Sequence, residues 1–318
     1  MQTVITTDPD EAAVFIKNGG IVAFPTETVY GLGAALFNPN AIKSIFTVKR
    51  RPPDNPLIAH ISSLEQVSQI AVEIPNSFYL LAKSFFPGPL TVVLKRNLRV
   101  PSIVSAGHHS IALRMPSHPI ALKLIALVGE PLVAPSANLS GKPSSTQMKH
   151  VLEDFDGEIA AVIEGGKTDF GIESTVISLL EEIPILLRPG AITKEQIEQV
   201  LGQCVELPSK DHGPILSPGM KYRHYSPQAP IQLFKTFEAI KKHLCDHPSS
   251  LLRMALSFRP LPERLEGVDP YLLSAKEFYS LLRLADQRKY LEILILCDED
   301  LQTQTALMNR LLRSAGMV

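Results

Sequence analysis

Between Gly20 and Val200, short apolar runs rich in β-branched residues alternate with stretches whose apolar positions recur at helical spacing. That alternation restricts the chain to an α/β core, in which helices cover a sheet. The predicted strands are 21–24, 57–61, 90–94, 111–115, 131–135, 160–163, 175–179 and 185–188. Predicted helices lie over 41–49, 76–86, 117–128, 146–154 and 193–201. Pro52 and Pro53 stop the helix over 41–49 by Arg51, so Lys49, Arg50 and Arg51 fall at its C-terminus and on the stiff loop that follows. Ser62–Glu65 and Thr193–Gln196 read as capping boxes. Strands 175–179 and 185–188 are close enough to form a hairpin, so the sheet is expected to be mixed and twisted.

Residues 206–230 are rich in proline, glycine and polar side chains and lack periodicity, which predicts a linker between domains 1–205 and 231–318. In the second domain, strands are predicted at 231–234, 253–257, 271–274 and 291–297, with helices over 277–289 and 300–313. This reads as a smaller, Rossmann-like α/β unit with a mostly parallel sheet. It carries no G-x-G-x-x-G, P-loop or paired acids, so the chemistry is expected in the first domain.

Composition narrows the function. The 318 residues hold 31 Lys+Arg against 32 Asp+Glu, a net charge of -1, with 45% hydrophobic residues. Disorder is excluded, and so is an extended basic face for duplex nucleic acid. Any anion must be bound locally. No apolar run approaches the roughly 20 residues of a membrane span, and MQTVITTDPDE has neither the basic nor the apolar part of a signal peptide, so the expected location is the cytoplasm. Cys204, Cys245 and Cys297 are too scattered for a zinc site or a disulfide framework.

Four stretches gather polar residues at strand ends and loops, where ligands bind in α/β sheets. Phe24–Gly33 places two threonines and two glycines directly after a strand. Lys49–His60 combines three cations with Asn55 on a proline-stiffened loop suited to clamping phosphate, while His60 alone reads as a core histidine. Arg114, closing an apolar strand, requires an anion, either a structural carboxylate or that of a ligand. Ala134–Thr146 crowds hydroxyls, an amide and a glycine after a buried strand, suited to phosphate or ribose oxygens. No Ser/His/Asp order, H-E-x-x-H or cysteine nucleophile signature appears, so the site reads as one that aligns reactants.

These stretches together resemble the YrdC-like threonylcarbamoyl-AMP synthase family in its long form with a C-terminal domain. The resemblance rests on FPTETVYGLG, KRRPPDNPLIAHI, PGPLT, ALRMPSHP, APSANLSGKPS, EGGKTDFGIESTV, LLRPGAIT and SPGMKYRHYSP, in that order along the chain. It implies condensation of L-threonine, bicarbonate and magnesium-bound ATP into L-threonylcarbamoyladenylate, with release of pyrophosphate. The product would pass to the transferase machinery that modifies adenosine 37 of tRNA, with at most weak or indirect tRNA contact by this chain. The resemblance implies a catalytic set of Lys49, Arg51, Ser136 and Asn138, with Lys49 and Arg51 holding bicarbonate and phosphates. Threonine would be held by Thr28, His60, Arg114, Ala134 and Ser174. ATP would be held by Arg51, Asn55, Ser110, Ser136, Ser144 and Arg188. Tyr222, His224 and Tyr225 of the linker are implied as a lid over the nucleotide. No protein metal site is implied.

The chain departs from the family pattern at Arg50, where glycine is common, at Glu164, where aspartate is common, and at Ser145, where proline is frequent. Two other readings compete. A carbamoyl-transfer module of the hydrogenase-maturation kind would bring Cys-x-x-Cys segments, which this chain lacks. An RNA-binding protein would retain RNA in a salt-dependent way without threonine-dependent ATP turnover.

Overall fold

The computed structural model describes residues 2–208 and 225–317. These fall in two compact units, one holding the chain to Ser140 and from Ser144 to 208, the other Gly141–Pro143 and 225–317.

The first unit is built on β1 (Val4–Thr6), β2 (Val22–Phe24), β3 (Gly31–Ala35), β4 (Ile58–His60), β5 (Ala71–Val72), β6 (Leu90–Arg96), β7 (Ser110–Arg114), β8 (Leu132–Val133), β9 (Ala161–Ile163), β10 (Thr175–Ser178) and β11 (Ile185–Arg188). Their order is β1-β9-β2-β3-β8-β4-β7-β6-β10-β11, with β5 beside β6. Parallel pairs such as β4 with β7 and β6 with β10 alternate with antiparallel ones such as β6 with β7. The sheet is mixed, and β10 and β11 form the expected hairpin, with a bulge after Val176.

Side chains alternate between the two faces of a sheet. On one face Ala59, Val92, Leu113, Val133 and Ile177 join the large core with Ile42, Phe78, Phe155 and Ile197. These four come from helices Pro39–Lys49, Asn76–Phe85, Met148–Phe155 and Lys194–Leu201. The opposite face is covered at one end by Pro9–Lys17 and Pro119–Val128, which pack on Val22, Phe24, Leu132 and Ala134. Farther along that face, Ile58, Val93, Ala112 and Val176 form a separate small cluster.

Several boundaries move for local reasons. Within 131–135 the regular strand is Leu132–Val133, flanked by Pro131 and Pro135, which have no N–H to donate. The helix expected from 117 starts at Pro119, with His118 accepting the Ile120 N–H at 3.2 Å. The capping box at Ser62–Glu65 does not form: Gln66 Oε1 takes the Ser62 N–H at 2.8 Å, and only a short 3-10 turn and one α turn follow. Thr193 and Gln196 do make theirs. Arg50 takes φ 51, a left-handed conformation that glycine adopts without cost, which gives the departure at this position a physical meaning.

The second unit contains β12 (Ile231–Phe234), β13 (Arg253–Ser257), β14 (Val268–Leu272) and β15 (Ile293–Leu296), all parallel in the order β12-β15-β13-β14. The strand expected at 271–274 begins three residues earlier and ends two earlier, over Val268–Leu272, and tolerates Pro270 because it is the sheet edge.

Candidate active site

The register of the strands gathers the expected threonine residues. His60 lies opposite Arg114 on parallel strands β4 and β7, and opposite Leu132 on β8. By alternation, His60, Arg114, Ala134, Thr91, Ser174 and Arg188 share the face whose apolar floor is Ile58, Val93, Ala112 and Val176. Polar side chains therefore stand at one end of an otherwise dry surface.

Arg114, 4% exposed, is the centre of this group. Its Nη1 donates to Thr28 Oγ1 at 2.8 Å and its Nε to the Gly88 carbonyl at 3.2 Å. Nη2 lies 2.5 Å from Glu27 Oε1. That contact is a charge pair without hydrogen-bond alignment, since neither Glu27 oxygen nor Nη2 has a hydrogen-bond partner. The structural carboxylate that Arg114 required is thus Glu27, and Nη2 retains donor capacity for a second anion. Burial acts to raise the Glu27 carboxyl pKa, but Arg114 beside it prevails and holds it below the usual range.

His60 is buried, its ring set edge-on to Phe24 with centroids 6.3 Å apart. Its Nδ1 faces the Ile58 carbonyl at 3.2 Å, which assigns the proton to Nδ1 and leaves Nε2 as an acceptor. Burial first, and then the Arg114 charge, push its pKa down to about 3 from 6.5. The folded protein therefore holds His60 neutral while the unfolded chain protonates it below pH 6.5. Stability from this group is complete above pH 6.5 and is lost as pH falls toward 3. Urea midpoints measured between pH 7 and 4 are expected to fall less steeply in His60→Gln; an identical slope would contradict the buried neutral ring.

Ser174 closes the group. Thr91 and Ser174 hydroxyls are 2.8 Å apart, and Arg188 donates to the Ser174 carbonyl at 3.1 Å and to its Oγ at 3.3 Å. Thr26 Oγ1 donates to the Val29 carbonyl at 2.6 Å, fixing the turn that carries Glu27 and Thr28.

A second group forms around the loop after β8. Lys49, 1% exposed, donates through Nζ to the Ser136 carbonyl at 2.5 Å and to the Asn138 carbonyl. Ser144 Oγ donates to Glu173 Oε1 at 2.6 Å, and Ser145 Oγ to the Ala137 carbonyl at 2.6 Å. Arg51 folds back on its own loop, donating to the carbonyls of Asn55 at 3.2 Å and Pro56 at 2.8 Å. Asn55 is buried in the same loop.

Ser110 is not gathered with either group. It opens the strand that Arg114 closes, about 13 Å away on the same face. There it lines a cavity of about 460 Å³ together with Lys95, His108 and Leu180. Tyr222 and His224 lie outside the described residues. Tyr225 is buried in the second unit, its ring 5.2 Å from that of Tyr279. Glu27, Glu173 and Thr91 were missed as site residues, although all three sit inside the quoted motifs. An acid among hydroxyls and glycines beside a buried arginine was the available signal.

A twisted mixed sheet with an arginine-centred polar cluster at its strand ends, joined to a parallel α/β unit, defines a class of protein. The chain belongs to the Sua5/YciO/YrdC family, whose model, described as telomere recombination, matches residues 14–190. A model of the threonylcarbamoyl-AMP synthase C-terminal domain matches residues 192–316. The chain is 42% identical over 329 residues to the threonylcarbamoyl-AMP synthase of Bacillus subtilis, covering 98% of this chain and 94% of that one. It is 54% identical over 223 residues to that of Pyrococcus abyssi, covering 69% of this chain and 66% of that one. The crystal structure of P. abyssi Sua5 complexed with L-threonine matches with a TM-score of 0.89 and 40% identity, covering 100% of this chain and 98% of that one. Among the described residues no helix is long and apolar enough to cross a membrane.

Proposed function

We propose that this chain is a threonylcarbamoyl-AMP synthase, acting in the cytoplasm, that converts L-threonine, bicarbonate and ATP into L-threonylcarbamoyladenylate and pyrophosphate. The observation that carries this reading is Arg114, buried between Glu27, Thr28 and Gly88, with a donor left over and a neutral histidine on the neighbouring strand. Such a site suits a zwitterionic amino acid. Its carboxylate meets Nη2 of Arg114, and its hydroxyl can donate to Nε2 of His60.

The chemistry balances in two steps. The threonine amine condenses with bicarbonate to a carbamate with loss of water. A carbamate oxygen then attacks the α-phosphorus of ATP, and pyrophosphate leaves. Both partners of the second step are anions, so the site must orient them and offset their repulsion. Arg51 and Arg188 supply fixed guanidinium charge, and Ser136 offers a half-buried hydroxyl. The cavity beside Ser110, lined also by Lys95 and His108, suits the nucleoside end. Ser144 donates its hydroxyl proton to Glu173, so it can receive donors such as ribose hydroxyls. Magnesium bound to ATP would offset part of the triphosphate charge. Among the described residues no three His, Cys, Asp or Glu side chains converge to hold a metal of their own. The product, a mixed anhydride, is suited to acylate the N6 of adenosine 37 in tRNA through a separate transferase.

The test is incubation with ATP, magnesium, bicarbonate and single amino acids, following pyrophosphate and the adenylate mass. Threonine-dependent release is expected, with serine disfavoured by about 1–3 kcal/mol for its missing methyl. ATP turnover that ignores threonine would sink the reading.

A further inference from the structure

We infer that Lys49 is a positioning residue that locks the turn Ser136–Asn138, rather than a ligand for bicarbonate or phosphate; its kinetic consequences rest on the synthase reading above. Lys49 ends the helix Pro39–Lys49, and its ammonium reaches the carbonyls of Ser136 and Asn138 with the Phe155 ring centroid 6.0 Å away. Its own carbonyl accepts the Ser140 N–H at 2.9 Å. Side chain and backbone together hold one turn at three points.

The rest of that turn's backbone is committed as well. Ala137 N–H donates to the Tyr30 carbonyl at 2.7 Å and Asn138 N–H to the Ser136 carbonyl at 3.0 Å. Leu139 N–H donates to Asp154 Oδ2 at 3.1 Å. These bonds commit the backbone donors of the turn, and it presents the half-buried Ser136 hydroxyl. At this depth the carbonyl dipoles of Ser136 and Asn138 take the place of the water that would otherwise solvate the Lys49 amino group. Moving out to meet a substrate would remove that support and leave two carbonyls without their donor. The geometry therefore favours a charge that organises the site from beneath over one that touches the reactants.

The two roles separate in kinetics. In the full-length Lys49→Met variant, kcat is expected to fall about a hundredfold while KM for bicarbonate, threonine and ATP each stay within about threefold. Amide exchange at Ala137 and Leu139 is expected to quicken while that of Leu90–Arg96 does not. Lys49→Arg, which keeps the charge but replaces a compact ammonium by a longer planar fork, should fall as far as the methionine variant. A rise of about tenfold or more in KM for bicarbonate or ATP with kcat retained would overturn the inference, as would turnover restored by arginine. Where Lys49→Met does not fold, Phe155→Leu loosens the same ammonium and should lower kcat with the three KM values unchanged; a shifted KM would again overturn it. If the parent protein shows no threonine-dependent pyrophosphate release, the synthase reading fails, while amide exchange still decides whether Lys49 holds the turn.

Discussion

Arg114→Ala is expected to abolish threonine-dependent pyrophosphate release and to lower stability by about 3–5 kcal/mol, the cost of breaking a buried ion pair by removing one partner. Glu27 is 2% exposed, and the charge of Arg114 is the largest influence that holds it ionised against burial. Removing it leaves a carboxylate that burial alone drives toward protonation, and deprives Thr28 and the Gly88 carbonyl of their donor. The double variant Arg114→Ala/Glu27→Gln separates the two effects. With the charge gone from both sides, most of the lost stability should return, but turnover should not, because the proposed function makes Arg114 the partner of the threonine carboxylate. Urea midpoints and pyrophosphate release on the four proteins of this cycle measure the coupling directly. A single variant as stable as the parent, or a double variant that turns over threonine, would show that the pair does something else. The pair also adds acid sensitivity. A carboxyl held below its unfolded pKa contributes stability that is present above the unfolded value and is lost as pH falls through the folded one.

Most of the sheet is legible in the sequence because its strands are short apolar runs bounded by proline and glycine, a pattern that survives whatever the tertiary environment. β3 is not, since its residues Gly-Leu-Gly-Ala-Ala have little intrinsic strand preference. Packing makes that strand: a Cβ on Gly33 would stand 2.6 Å from Phe24 Cε1, so the glycine is what lets the chain pair back against β2. Arg114 was legible as a charge in need of an anion, but Glu27 as its partner depends on a turn folding across the sheet. Lys49 was legible only as a cation at a helix end. That its ammonium turns inward to the carbonyls of Ser136 and Asn138, 87 and 89 positions away, is a property of the folded chain. Ser110 shows the limit of motifs from the other side. It belongs to the face through strand register and stands a strand's length from Arg114, a separation that the sequence fixes only once the strand is known.

Gly190→Ala tests whether the proposed threonine end of this face depends on a close approach between two backbone segments. A Cβ at Gly190 would meet Thr175 N, and would stand 2.6 Å from Ser174 C and 2.8 Å from Thr175 Oγ1. Two of these are backbone atoms, which cannot rotate away. Thr175 Oγ1 also ties the two segments, donating to the Ile192 carbonyl at 2.6 Å and accepting the Ile192 N–H at 3.0 Å. The added methyl must therefore push apart a contact that places Ser174 against Arg188. Overpacking of this kind costs about 1–3 kcal/mol. The catalytic effect should be larger, since displacing a positioned group by about 1 Å can cost a hundredfold in kcat/KM. Gly202→Ala is the control. Gly202 caps the helix Lys194–Leu201 at φ 66 with open space where the methyl would go, so alanine there is strained by about 1 kcal/mol but moves neither Ser174 nor Arg188. Two glycine-to-alanine changes of comparable stability cost should thus differ by about two orders of magnitude in kcat/KM for threonine. Equal kcat/KM in the two variants would mean that Ser174 is not held by the contact at Gly190.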